Sequence, residues 1–416
     1  MNSPCARVFG DQLYKVVNKQ GKVIVYFGNL HRAIRLSYYK FHLLELVLKN
    51  DNETIDFLIK QYGLAEADVN ALISQLLDRR ILFRSRIDLE QSYFERKYNC
   101  VLSSRSLNKA YIHVTQRCNL NCFYCYNKAN TNKRQEEFST ATWIHVLDDL
   151  YENGVRDFVF TGGEPLLRDD LTEILKRKHS DCYFTLLTNG TLLRGENQLK
   201  LLDFVDTVII SIDSLDSSSN NSNRENSIKY HIIDNLKEIP EQSRKKVFVR
   251  SVVTKNNYSD VRELESYVSD DLGLGFIASE CLPNSMEDLD CFIPSFENSK
   301  EQDMAQIASC GAGSSIIAID SNGDIYPCQN LIKPEFKVAN ILQSNWNDSL
   351  GENDKIKQLR SGINLIKGCS TCVYKYFCGS GCKALAYNIY GELNIRNSFM
   401  CHYLQDRAEQ SICNLF

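Results

Sequence analysis

Residues 118–127 read CNLNCFYCYN and place Cys118, Cys122 and Cys125 within eight residues, with the aromatic Tyr124 directly before the third cysteine. The run just upstream, YIHVT (111–115), is rich in β-branched and aromatic residues and reads as a strand, so the trio sits on a loop that leaves a strand end. Three thiolates on one loop hold one face of an iron–sulfur cube and leave its fourth iron without a protein ligand. An open iron is where an exchangeable ligand binds. A zinc site completed by His113 is the competing reading of the same trio.

Composition sets the frame around that loop. A chain of 416 residues has room for two or three domains with their own cores. Its 43% hydrophobic and 24% charged content is that of a globular protein. Against 48 basic residues stand 52 acidic ones, a net charge of −4 that argues against a general nucleic-acid binder. No apolar run approaches the roughly 18 residues of a membrane span, so no membrane partner is expected. The N-terminal MNSPCARVFGDQ lacks an apolar signal core, which points to the cytoplasm. Sixteen cysteines in a reducing compartment then mean metal ligation or catalysis rather than disulfides. Cys5, Cys100, Cys182, Cys281, Cys291 and Cys413 are scattered; the other ten are patterned.

Three segments separate along the chain. Residues 1–100 open with two alternating runs, DQLYKVVN and KVIVYFG, joined through a turn that ends at Gly21, and so read as a hairpin. Helices follow around FHLLELVLKN, TIDFLIKQY and ADVNALISQLL. In the last, Val69, Leu72, Ile73, Leu76 and Leu77 line one face. ILFRSR reads as a closing strand, which makes the whole a winged-helix-like module. Residues 105–295 alternate six β-rich runs (YIHVT, DFVFT, YFTLLT, TVIISI, VFVRSVVT, FIASE) with amphipathic helical segments. That spacing implies an α/β fold with a parallel sheet, an open or partial six-unit barrel whose chemistry sits at the C-terminal strand ends. Residues 300–416 are cysteine-dense and turn-rich, a segment expected to need inorganic ligation to hold its shape.

The CxxxCxxC loop after a first strand, with Tyr124 before its third cysteine, resembles the radical S-adenosylmethionine (SAM) superfamily. The resemblance implies a partial (β/α)6 barrel in which Cys118, Cys122 and Cys125 hold a [4Fe–4S] cluster and SAM chelates its open iron. It implies reductive cleavage of SAM to a 5′-deoxyadenosyl radical that abstracts hydrogen, with an external donor such as flavodoxin or ferredoxin supplying the electron. TGGEP at the second strand end matches the family's motif for the SAM amino group, giving Gly162, Gly163, Glu164 and Pro165 as SAM contacts along with Tyr124. By the same resemblance Ser211 and Asp213, at the fourth strand end, contact the ribose or methionine region. Arg224 matches a position that pairs with the SAM carboxylate. TNG (188–190) lines the same mouth.

The C-terminal cysteines read C-x12-G-x4-C (Cys310, Gly323, Cys328), then C-x2-C-x5-C-x3-C (Cys369, Cys372, Cys378, Cys382), then Cys401. Order and spacing resemble the seven-cysteine SPASM extension of a radical SAM branch. A zinc ribbon accounts for four of them and leaves Cys310, Cys328 and Cys401 over. The resemblance implies two auxiliary [4Fe–4S] clusters: Cys310, Cys328 and Cys382 for the first, and Cys369, Cys372, Cys378 and Cys401 for the second. Cys281 and Cys291 are candidates for the first cluster's missing ligand.

The first hundred residues carry 15 basic and 11 acidic side chains. They show no arginine-rich recognition helix, so a DNA-binding iron–sulfur regulator is the weaker reading. Hairpin and helices instead look like the PqqD-type element that captures the leader of a ribosomally made precursor peptide, adding it as a strand at a sheet edge. Together the parts imply a peptide maturase that installs a C–C or thioether crosslink. A peptide epimerase, with Cys281 or Cys291 as hydrogen-donor thiol, is the alternative. A formylglycine-generating sulfatase maturase is disfavoured, because Gln329 stands where those enzymes tend to carry an aspartate base. No general base stands out from the sequence.

Overall fold

The computed structural model describes residues 14–19, 22–28, 32–49, 55–79, 81–82, 106–128, 130, 136–215, 229–283, 285, 310–401, 404–405 and 408. Among these residues the strands form two sheets. In the first, β1 (Tyr14–Lys19) and β2 (Lys22–Phe27) make the expected antiparallel hairpin, with Val16 opposite Val25. A third strand, β3 (Arg32–Leu36), pairs with the far edge of β2. Its sequence RAIRL places arginines at both an outer and an inner position, which hides the alternation. Helices α1 (Tyr38–Lys49), α2 (Ile55–Tyr62) and α3 (Glu66–Asp78) follow as the periodicity requires. Helix α3 buries Val69, Leu72, Ile73 and Leu76 in a core shared with Val23, Val25 and Phe27. Of the expected closing strand, Ile81 and Leu82 form a buried bend whose amides donate to the Leu76 carbonyl, and residues 83–86 lie outside the described residues.

Strand β2 is buried on both faces, and its unbroken apolar sequence VIVYF is the reason. Val23, Val25 and Phe27 face the helices, while Ile24 and Tyr26 pack against Cys372, Val373, Tyr374 and Ala408. The N-terminal sheet thus rests on the loop that carries Cys369 and Cys372. At the end of β2 the fit is tight: a Cβ on Gly28 would lie 2.3 Å from the Val373 carbonyl oxygen. Tyr26 is 1% exposed. Tyr26→Ala is expected to cost about 3–5 kcal/mol, the range for deleting a buried aromatic, read as a lower urea midpoint and faster hydrogen exchange in β2.

The second sheet has the order β12-β11-β10-β4-β5-β6-β7-β8-β9. Its six successive strands β4 (Lys109–Thr115), β5 (Asp157–Gly162), β6 (Tyr183–Thr188), β7 (Thr207–Ser211), β8 (Val247–Val253) and β9 (Gly275–Glu280) are all parallel, each near one of the six expected runs. Between β4 and β5 lies helix α4 (Thr140–Glu152). The Ser139 side chain caps it by accepting from the Thr142 amide, and Trp143, Val146, Leu147 and Leu150 form its buried stripe. Alternation then divides the strands. Ala110, Ile112, Val114, Phe158, Phe160, Phe184, Leu186, Val208, Ile210, Val247 and Val249 share one core with the helices. The opposite, concave face carries Lys109, Tyr111, His113, Thr161, Ser211, Phe248 and Arg250.

The segment after residue 300 does not stand apart from this sheet, as a separate cysteine-rich unit would. Strand β10 (Ile316–Ile319) runs parallel to β4, with Ala318 beside Tyr111, and β11 (Asp324–Tyr326) and β12 (Ala339–Asn340) continue antiparallel. IIAI is apolar throughout because both its faces are covered, one by each neighbouring core. Among the described residues no helix is long and apolar enough to cross a membrane.

Candidate active site

The loop bearing Cys118, Cys122 and Cys125 leaves the C-terminal end of β4 and is anchored at both ends. At its start the Gln116 side-chain amide donates to Asp320, in the turn after β10. The Asn127 amide nitrogen donates to Gln116 Oε1 at 2.6 Å, and Asn130 donates to Asn127 Oδ1 at 3.0 Å and to the Ile332 carbonyl at 2.9 Å. Asp320 is 2% exposed, and burial raises its carboxyl above the ordinary range. Thr115 and Arg117 both hydrogen-bond Glu137. Sequence reasoning missed all of these residues, since single polar side chains carry no spacing signal.

The GGEP turn does more than offer a smooth surface to a ligand. The Gly163 amide donates to the Thr115 carbonyl at 2.8 Å and the Glu164 amide to the Arg117 carbonyl at 2.7 Å, so the turn grips the entrance of the cysteine loop. Gly162 has φ 141°, and a Cβ there would lie 2.2 Å from the Thr115 oxygen. A Cβ on Gly163 would lie 2.1 Å from the Arg117 oxygen. Only glycine fits either position. Gly163→Ala is therefore expected to displace the loop and lower iron retention by at least about half, checked by metal analysis after anaerobic purification.

Glu164 is 1% exposed, and its carboxylate accepts from the Leu166 amide (3.0 Å), Thr188 Oγ1 (2.7 Å) and the Asn189 amide (2.7 Å). Pro165 opens the short 3-10 turn that Glu164 caps. The TNG stretch thereby has a place: it holds Glu164, and the Asn189 and Thr191 side chains bond Asn119 inside the cysteine loop at 2.8 and 2.9 Å. The Tyr124 hydroxyl donates to Asp213, whose other oxygen accepts from the Val252 amide at 3.0 Å. Asp213 is fully buried and Ser211 half-buried, so Asp213 ties the loop to the ends of β7 and β8 while Ser211 stays accessible. Arg224 and Cys291 lie outside the described residues. Cys281 follows β9, buried, with its amide donating to the Val253 carbonyl at 3.2 Å. His113 turns its Nε2 toward the Tyr126 hydroxyl at 3.5 Å, and burial drives its pKa down to about 3, which keeps the ring neutral.

The cysteines gather into three groups. Burial pushes the Cys118 thiol up to about 11, with Glu164, Cys122 and Cys125 adding to the rise. Burial raises Cys328, with Cys382 and Cys310 as its charged neighbours. Cys369 rises to about 11 through burial and then through Cys401 and Cys372, and Cys378 to about 11 through burial and then through Cys372, Cys369 and Cys401. None of the twelve described cysteines is in a disulfide. Among the described residues no three His, Cys, Asp or Glu side chains close tightly enough to hold a single metal ion. Thiols gathered in threes and fours, none tied up in a disulfide, are the donor set that an iron–sulfur cube takes. Cys369, Cys372, Cys378 and Cys401 line a pocket together with Lys375 and Arg396, and Arg396 Nε donates to Cys401 Sγ at 2.8 Å.

Directly after Cys382 stands Lys383, 4% exposed. Its ammonium donates to the carbonyls of Leu359 (2.8 Å), Ser361 (3.0 Å) and Gln358 (3.1 Å), to Ser361 Oγ (3.1 Å) and to Asn394 Oδ1 (3.2 Å). Lys383→Met leaves these acceptors buried and unmatched. It is expected to destabilise the chain by about 2–4 kcal/mol, seen as a lower Tm.

Comparison with known proteins agrees with this arrangement. The radical SAM superfamily model matches residues 112–268, and the model of SPASM, an iron–sulfur cluster-binding domain, matches residues 310–373. An uncharacterized protein of Archaeoglobus fulgidus is 26% identical over 367 residues, 78% of this chain and 87% of that protein. The PqqA peptide cyclase of Gluconobacter oxydans is 41% identical over 91 residues, 22% of this chain and only 25% of the cyclase. The fold is that of Streptococcus suis SuiB, solved bound to its precursor peptide SuiA: TM-score 0.54 at 19% identity, covering 94% of this chain and 99% of that one. The strand-end loop of three thiols braced by a GGEP turn and the two later thiol groups thus belong to a chain that carries a radical SAM domain over residues 112–268 and a SPASM iron–sulfur cluster-binding domain over residues 310–373.

Proposed function

We propose that the protein is a maturase that oxidatively crosslinks a ribosomally synthesised precursor peptide, through a C–C or thioether bond. The carrying observation is the position of Tyr126. It lies within charge-interaction range of Cys125, Tyr111 and Cys328, which supports a reading in which the trio and the first auxiliary group border one space. When bound, the clusters and SAM would supply a hydrogen-abstracting radical on one side of that space and an electron acceptor on the other. A crosslink removes two hydrogens from the peptide, and this arrangement suits a net oxidation better than an epimerisation, which removes none.

The chain's own residues orient and enclose. Glu164, with Gly162, Gly163 and Pro165 shaping its turn, is offered to the SAM amino end, and Ser211 to the ribose or methionine region, with Arg224 as the carboxylate partner. Tyr124 and Asp213 fix the loop against β7 and β8. His113, neutral and buried, exchanges no proton at physiological pH. The N-terminal sheet presents β1 and β3 as edges to which a leader can add as a further strand, in the manner of a PqqD-like element. The likeness in fold to a peptide-bound SuiB and the local identity to a PqqA peptide cyclase support a peptide substrate.

The test is mass spectrometry of the peptide encoded by a neighbouring small reading frame, after incubation with reduced enzyme and SAM. A loss of two hydrogens per modification is expected. An unchanged mass with inverted stereochemistry overturns crosslinking in favour of epimerisation.

A further inference from the structure

Arg250 is a charged side chain on the concave face whose chemistry the reading above leaves unused. It lies on β8, where Val247, Val249, Ser251 and Val253 are buried and Phe248, Arg250 and Val252 take the opposite, half-buried side. Phe248 covers Gly275 on β9, where a Cβ would lie 2.2 Å from its ring. By register Arg250 stands beside Ser211, at the C-terminal end of β7.

Among the described residues the guanidinium has no counterion: its Nε is buried without a hydrogen-bond partner, and it makes no ion pair. Its one charge neighbour is Tyr111, on β4. Three strands separate β8 from β4 in the sheet, so the two side chains approach each other across the concavity rather than along it. The Tyr111 phenol carries its proton at physiological pH and can donate a hydrogen bond. An arginine stays charged at any physiological pH, and a desolvated charge without a partner is costly, so a site of this kind is built for an incoming anion. Two groups able to donate to an anion, the guanidinium and the phenol, converge there.

We propose that Arg250 and Tyr111 form a carboxylate-binding subsite inside the barrel that seats an acidic group of the substrate peptide. The subsite rests on the peptide-maturase reading and narrows it to peptides with an Asp or Glu side chain, or a C-terminal carboxylate, close to the modified residue. The direction of Tyr111 favours the peptide over the SAM carboxylate. Tyr111 pairs with Ala318 of β10 and interacts with Cys328, so the subsite opens toward the auxiliary side rather than toward the GGEP turn and TNG stretch. Arg is suited to such a task because its fork engages both carboxylate oxygens.

The experiment uses reconstituted full-length enzyme, as wild type, Arg250→Lys and Arg250→Gln, with SAM, decarboxylated SAM, and the peptide from the neighbouring reading frame. The peptide is prepared with each acidic residue changed in turn to its amide, and with its C-terminus amidated. One of these changes is expected to raise KM at least tenfold on wild type but less than twofold on Arg250→Gln, with partial recovery of wild-type KM by Arg250→Lys. Side-chain and C-terminal sources are distinguished by which peptide shows the coupling. SAM binding by calorimetry should stay within twofold of wild type. If Arg250→Gln instead weakens SAM tenfold while decarboxylated SAM binds both enzymes alike, the carboxylate is that of SAM and the proposal is overturned. Equal KM effects on both enzymes, or none at all, overturn it too. If wild-type enzyme cleaves SAM yet modifies no form of the peptide, the maturase reading has failed, a result separable from loss of the coupling alone.

Discussion

Replacing Cys118, Cys122 and Cys125 together by alanine is expected to reduce 5′-deoxyadenosine formation from SAM and dithionite by at least about a hundredfold, and to remove about four irons per chain. The two readouts belong together. The trio's thiols are half-buried and mutually repelling as thiolates, so they gain stability from a cationic body and serve no packing purpose that alanine would spoil. The bracing of the loop is independent of sulfur: Gln116 on Asp320, Asn127 on Gln116, Asn130 on Ile332 and Asn119 on Thr191 remain in the triple variant. The variant should therefore fold, keep its other two thiol groups and retain about eight irons, two cubes of four. Undiminished deoxyadenosine formation would remove the basis for radical chemistry at this loop.

What the sequence made legible follows from how each feature is encoded. Strands β4 to β8 were visible because each is largely buried on both faces or alternates over five or more residues, and a helical segment separates each from the next. The trio of Cys118, Cys122 and Cys125 was visible because ligand spacing on one loop is local, whereas the division of the later seven cysteines came from the resemblance. Two kinds of feature escaped. Strands β10 to β12 are two to four residues long and take their place only by pairing with β4, a partner some two hundred residues away. The second kind is the polar brace, in which Asp320 and Gln116 meet across a separation of 204 residues. A contact of that range leaves no periodic trace. The double burial of β2 lay between the two: VIVYF announces two covered faces, but nothing local says that the second cover is the loop around Cys372.

Glu164→Gln is expected to lower SAM-dependent deoxyadenosine formation by about a hundredfold, equivalent to some 2.7 kcal/mol of lost transition-state stabilisation, and to cost about 2–4 kcal/mol of stability. The change preserves shape and removes only charge and acceptor capacity. The three donors aimed at this carboxylate, from Leu166, Thr188 and Asn189, are all in place before any ligand arrives. An amide can satisfy the two bonds at one oxygen or the one at the other, and in either orientation its NH2 group faces a buried donor. Turning the Thr188 hydroxyl relieves one clash; the backbone amides of Leu166 and Asn189 cannot turn. Asn189 is then released from its hold on Asn119, and the strain reaches the cysteine loop through the same bonds that brace it. The two roles of Glu164 separate by experiment. If it only holds the loop, Glu164→Gln lowers Tm and iron retention while SAM binds the surviving holoenzyme normally. If it also accepts from the SAM amino group, SAM affinity falls in fully loaded protein, and the deaminated analogue of SAM, which lacks that ammonium, binds wild type and variant alike.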